Sequence, residues 1–135
     1  MKNSITRRFQ NVVILRQNDK DPTDAEWDEC MRLLTTGDGP SNARVLVVTD
    51  GGGPSGDQRS RLKMTLDGNN IRVAVVTDHT RTRFIVSSVA FITSKIRSFS
   101  KAEIDRAYEY LGLDVNQRRM ADRQIAEMSE IVGGR

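Results

Sequence analysis

One seven-residue string occurs twice in this chain. Arg44-Val-Leu-Val-Val-Thr-Asp50 and Arg72-Val-Ala-Val-Val-Thr-Asp78 agree at six of seven positions with an offset of 28 residues, differing only at Leu46 and Ala74. A nearly continuous valine run suits a strand buried on both faces, as in a parallel sheet covered by helices. The 21 residues between the copies hold a Gly-rich turn and a helical stretch, enough for a right-handed crossover. Two copies are too few for a repeat array. The echo therefore predicts a strand–helix–strand unit.

The flanking sequence extends the pattern. Ile5 to Arg16 reads as two short strands around a Gln10-Asn11 turn, the second being the β-branched run that starts at Val12. Asp19 to Pro22 breaks the chain, and Thr23 with Glu26 has capping-box spacing. Behind that box, Trp27, Cys30, Met31 and Leu34 form one helical stripe. Ser55 with Gln58 is a second box, opening a helix that Gly68 closes, and Ser100 with Glu103 is a third. The apolar segment from Arg83 to Ser94, including Phe84, Val86, Val89 and Ile92, predicts a buried helix, with a strand as the alternative. Lys95 to Phe99 reads as a last short strand. A helix with Ile104, Ala107, Tyr108 and Leu111 on one stripe follows and ends at Gly112. Asp114 begins a final helix with Ala121, Ile125, Met128 and Val132 on its apolar side, and Gly133, Gly134 and Arg135 fray.

The order ββαβαβαβαα predicts an α/β fold: a mostly parallel sheet with an N-terminal antiparallel strand pair, helices packed on it, and an extra C-terminal helix. Residues 1–113 form the α/β domain. Residues 114–135 form a helical extension whose apolar face must be covered, by the sheet or by a second copy in a homodimer.

Composition narrows the function classes. The chain has 135 residues, the size of one domain. No apolar run approaches the roughly 20 residues of a membrane span, and no signal-peptide pattern is present. One cysteine, Cys30, and one histidine, His79, exclude a disulfide framework and a Cys/His zinc cluster. A reducing, cytoplasmic setting is the expectation. The net charge of +3 conceals an uneven distribution. Gln17–Asp38 holds seven acidic residues against Lys20 and Arg32, whereas Asp57–Arg97 holds eight basic residues against three acidic ones. Such asymmetry favours oriented association with a charged partner. Nucleic-acid binding is not expected: the basic excess is modest and the seven aromatics fall mostly at core spacing.

Chemistry, if present, belongs beyond the carboxyl ends of the echoed strands, where parallel sheets bind ligands beside helix N-termini. Three uses of that rim compete. Gly52, Gly53 and Gly56, with Arg59, Arg81 and Arg83, suit an anion-binding rim. The string lacks both the P-loop ending and the dinucleotide spacing. Asp50 and Asp78 could hold Mg²⁺, or Asp50 could accept a phosphoryl group, although the sequence offers no obvious third acid. Ser55, opening a helix near Arg59, is a candidate phosphoacceptor. Loop geometry accounts for the same residues without function, with Asp as a cap and glycine where φ is positive. Asp78 and His79 are sequence neighbours whose side chains diverge in extended structure, so they make no dyad. A triad through Ser55 and His79 lacks a placed carboxylate. Binding is favoured over catalysis, and no cofactor is expected.

The residues also carry a family likeness. Val12–Leu15 as an early strand, Arg44–Asp50 before a Gly-rich turn, Arg72–Asp78 as the next parallel strand, and Ile96-Arg-Ser-Phe99-Ser followed by Glu103, Ala107 and Tyr110-Leu111 resemble the SpoIIAA-like proteins of the STAS superfamily, which are related to anti-sigma-factor antagonists. The likeness spans Ile5 to Leu113. It implies a regulatory protein-interaction module in which a serine opening the helix after a strand-ending Asp is phosphorylated by a partner kinase. Ser55-Gly56 is the counterpart here, five residues beyond Asp50 and behind Gly51-Gly-Gly-Pro54. Lipid-binding domains of similar fold use an apolar pocket, which the helix from Phe84 to Ile92 could line, although core packing is the favoured use of that helix.

Overall fold

The computed structural model describes residues 2–36, 42–67, 69–80, 82 and 95–133. Five strands form one sheet: β1 (Ser4–Phe9), β2 (Val12–Gln17), β3 (Arg44–Thr49), β4 (Arg72–Val76) and β5 (Ile96–Phe99). Their spatial order is their order in sequence. β1 pairs antiparallel with β2, and the remaining neighbours are parallel. Gln10, with φ of 52°, makes the tight turn between β1 and β2. The echoed strings lie side by side in β3 and β4, with Arg44 opposite Arg72 and Val48 opposite Val76. The expected α/β architecture with one antiparallel strand pair is what the chain adopts.

Alternation along the strands divides the core between two faces. Val13, Leu15, Val45, Val73, Val75 and Ile96 share one hydrophobic cluster with α1 (Asp24–Leu34), whose Trp27, Cys30, Met31 and Leu34 are buried. Leu62 and Leu66 of α2 (Gly56–Leu66) join the same face. A parallel sheet laid down in sequential order by crossovers of one hand puts successive helices on one side. The other face carries Val12, Ile14, Leu46, Val48, Ala74, Val76 and Phe99. It is covered by α3 (Ile104–Leu111), which follows a short 3-10 turn at Lys101–Glu103, and by α4 (Val115–Val132).

All three expected capping boxes are present, and Asp114 with Gln117 adds a fourth at the start of α4. α4 lays Ala121 and Met128 into the same core as Val12 and Ile14, so residues on both sides of position 114 share one hydrophobic cluster. Arg7 of β1 reinforces this contact, donating to Gln124 at 2.7 Å and pairing with Glu127 at 3.3 Å. No helix among the described residues is long and apolar enough to cross a membrane. The anticipated helix from Arg83 to Ser94, the helix stop at Gly68 and the fraying of Gly134 and Arg135 lie outside the described residues.

Candidate functional site

Both copies of the echo end in the same local device. Thr49 Oγ1 accepts the Gly51 N–H at 3.1 Å, and Thr77 Oγ1 accepts the His79 N–H at 3.1 Å. Each buried threonine thus turns the chain two residues on, where a backbone donor has left the sheet. The aspartates between them then diverge. Asp50 is drawn inward, with only 10% of its side chain exposed. Asp78 is exposed, and its Oδ1 accepts the Lys101 N–H at 2.9 Å.

Arg16 sets the electrostatics of this end. It follows Val12 and Ile14 by period two, so its side chain joins the α4-covered face at the end of β2. It is 1% exposed. Nη2 reaches Asp50 Oδ2 at 3.0 Å, Nε donates to Ser129 Oγ of α4 at 2.8 Å, and Nη1 donates to the Gln17 carbonyl. The other Asp50 oxygen, Oδ1, receives Lys101 Nζ at 2.6 Å. Lys101 therefore ties the two echoed aspartates together, Asp78 through its backbone and Asp50 through its ammonium. A buried charge is tolerable only when paired and hydrogen-bonded, and this network meets that demand for Arg16 and Asp50. Among the described residues no group of three or more His, Cys, Asp or Glu side chains is arranged to hold a metal ion.

The Gly-rich turn is packed from inside. Gly51 has φ of 127°, and a Cβ there would lie 3.1 Å from the His79 ring. Gly52 sits where a Cβ would fall 2.0 Å from the Lys20 carbonyl oxygen, so close approach of two backbones requires glycine. The turn's N–H groups already have acceptors within the chain: Gly52 donates to the Asn18 carbonyl at 2.9 Å and Gly53 to Asp21 Oδ1 at 3.3 Å. Thr82 Oγ1 closes the rim by donating to the Gly51 carbonyl at 3.2 Å.

Ser55 stands beyond this packed turn and is exposed. Its Oγ accepts the Gln58 N–H at 3.2 Å, while Gln58 Oε1 accepts the Ser55 N–H at 3.0 Å. Gln58 is also the anchor of α2, donating from Nε2 to the Pro22 carbonyl and to Asp24 Oδ1 at the start of α1. Gly56 begins the helix, and Arg59, one turn along, donates to the Pro54 carbonyl at 3.3 Å. Of the predicted rim, Gly52, Gly53, Ser55, Gly56 and Arg59 thus share one loop and helix start, and Asp50 and Asp78 lie at the adjoining strand ends. Arg81 and Arg83 lie outside the described residues.

Sequence reasoning missed Arg16 and Lys101. Arg16 had a usable signal, being a charged residue in phase with Val12 and Ile14. Lys101 had none, because its partner Asp50 is 51 residues away. No family model, no curated protein and no solved structure matches this chain.

Proposed function

We propose that the chain is a non-enzymatic STAS-type interaction module that presents α2 and the loop before it to a protein partner, with Ser55 as a phosphorylatable switch. The observation that carries this reading is the poverty of burial in α2. Gln58 is its only buried residue, yet the helix is held in place at both ends of its first turn. A helix that contributes so little to the core is free to spend its surface on a partner. That surface offers Arg59, Lys63 and Met64, the last 76% exposed, so an acidic partner with an apolar contact fits it.

Ser55 suits a switch for physical reasons. A phosphate on Oγ would add nearly two negative charges at the positive end of the α2 dipole, one turn from Arg59. The Asp50 network gives the loop a fixed base, so the added charge would alter the partner surface without loosening the sheet. An Mg²⁺-dependent role for Asp50 and Asp78 has weaker support, since the Lys101 ammonium and the Arg16 guanidinium already occupy both Asp50 oxygens. A cytoplasmic setting accords with the reduced, buried Cys30.

The experiment is phosphorylation followed by capture. The protein is incubated with ATP and lysate of the source organism, and Ser55 is examined by mass spectrometry. Wild type and Ser55→Asp are then compared as baits. Phosphate at Ser55 and a partner whose retention differs between the baits are expected. An unmodified Ser55 together with identical retention would refute the switch.

A further inference from the structure

The echo also places an arginine at the opening of both strands, at the end of the sheet opposite Asp50. Arg44 and Arg72 are in register on adjacent parallel strands, on the face covered by α3 and α4. Strand spacing puts their Cα atoms about 4.8 Å apart. Arg97 follows on β5, opposite Ala74 and on the same face. Like charges directly opposite each other on a sheet are destabilising. Among the described residues, no carboxylate forms an ion pair with any of the three.

Tyr110 absorbs part of this charge. The Arg72 guanidinium carbon lies 5.6 Å, and that of Arg97 5.0 Å, from its ring centroid. The three arginines all act to lower the Tyr110 phenol pKa, although burial, the largest influence, raises it overall. Arg44 Nη1 donates to the Ala43 and Asn70 carbonyls at 3.2 and 3.1 Å, and Arg72 Nη1 donates to the Tyr110 carbonyl at 2.9 Å. These bonds fix the two guanidiniums through one nitrogen each. Among the described residues, Nε and Nη2 of both remain without an acceptor. The pair lines a cavity of about 280 Å³ with Asn11, Gly112, Leu113 and Gln117. Asn11 and Gln117 bring neutral polar groups to the wall, and among the described residues no acidic side chain lines it.

We propose that this cavity binds a phosphoryl group, either free phosphate or the head of a small phosphomonoester. Two positioned guanidiniums with unused N–H groups match a dianion in charge and offer the forked geometry that phosphate oxygens accept. The site is separate from the Ser55 rim: Arg44 and Asp50 lie at opposite ends of β3, about 20 Å apart.

The test is an amide NMR titration of the full chain with inorganic phosphate, phosphoserine and acetate, at ionic strength matched with chloride. Saturable shifts at Asn11, Arg44, Arg72 and Leu113 with phosphate or phosphoserine are expected, with acetate much weaker. Tighter binding of phosphoserine identifies a phosphomonoester as the ligand; tighter binding of phosphate identifies the free ion. Arg44→Gln and Arg72→Gln should each weaken binding roughly tenfold, the loss of one charge-assisted hydrogen bond. Arg44→Lys, which keeps the charge, controls for folding and should retain most of the affinity. Shifts no larger than those with acetate, or equal affinity in the Gln variants at unchanged thermal stability, would overturn the proposal.

Discussion

Arg16 and Asp50 come from neighbouring parallel strands and meet at the carboxyl end of the sheet, Nη2 to Oδ2 at 3.0 Å, both largely withdrawn from solvent. Through Ser129 the same guanidinium reaches α4, and through Lys101 the same carboxylate reaches the segment after β5. One ion pair thus joins the middle of the sheet to two later elements. Removing one partner of a buried pair leaves the other charge uncompensated, at a cost of about 3–5 kcal/mol. Arg16→Met and Asp50→Asn should each lower the stability measured by urea unfolding by about that amount. The double variant should lose less than the sum of the two, because neither charge is then stranded.

Gly52 and Gly53 are adjacent and chemically identical, yet their substitutions should differ sharply. A Cβ on Gly52 collides with the Lys20 carbonyl, whereas one on Gly53 meets nothing within 4 Å. Gly52→Ala should therefore cost upwards of about 2 kcal/mol by forcing two backbones apart, while Gly53→Ala stays within about 0.5 kcal/mol. Thermal melts of the two variants, read side by side, check this.

Ser55 caps α2 as well as being the proposed switch, so the two roles must be separated by choice of residue. Ser55→Ala removes the acceptor for the Gln58 N–H and should cost about 1 kcal/mol. Ser55→Asp supplies an equivalent acceptor and should leave the melting temperature nearly unchanged. A partner effect seen in the Asp variant then reports on charge, not on an unwound helix.

Alkaline conditions should weaken the fold through Cys30. Burial between α1 and the sheet raises its thiol from the ordinary 9.0 to about 11. Below pH 9 the thiol is neutral in both folded and unfolded chains, and its contribution is fully present. As pH rises from 9 towards 11 the unfolded chain loses the proton first, so stability falls, by on the order of 2 kcal/mol for this group. Tyr108, raised by burial and by its hydrogen bond to Asp122, acts in the same direction at higher pH. Urea unfolding of wild type and Cys30→Ala across this range should show a steeper decline in wild type.

Much of the architecture was legible because it rests on local patterns. The echo announced two parallel neighbours, and Thr23, Ser55 and Ser100, each with a partner three residues on, marked helix starts. The stripe Ala121, Met128 and Val132 gave α4 an inward face but could not name its cover, which the sheet supplies. The candidate site was legible only in part. Gly52 and Gly53 looked like part of an anion-binding rim, but whether a backbone N–H is free for a ligand depends on which acceptors the fold brings to it, here Asn18 and Asp21 more than thirty residues earlier. Asp50 and Asp78 looked equivalent in sequence, and long-range contacts to Arg16 and Lys101 made them different. The arginines that open the echo were visible throughout, yet only the register of β3 against β4 gave them a shared pocket.

The proposed function turns on whether charge at Ser55 controls a surface built from α2. The most direct measurement is quantitative capture of partners by wild type and Ser55→Asp, with the melting temperature of each bait recorded. A partner whose recovery changes several-fold between baits of equal stability, and whose binding is also weakened by Arg59→Glu, is the predicted result. Identical recovery from both baits, with no phosphate found on Ser55, would contradict it.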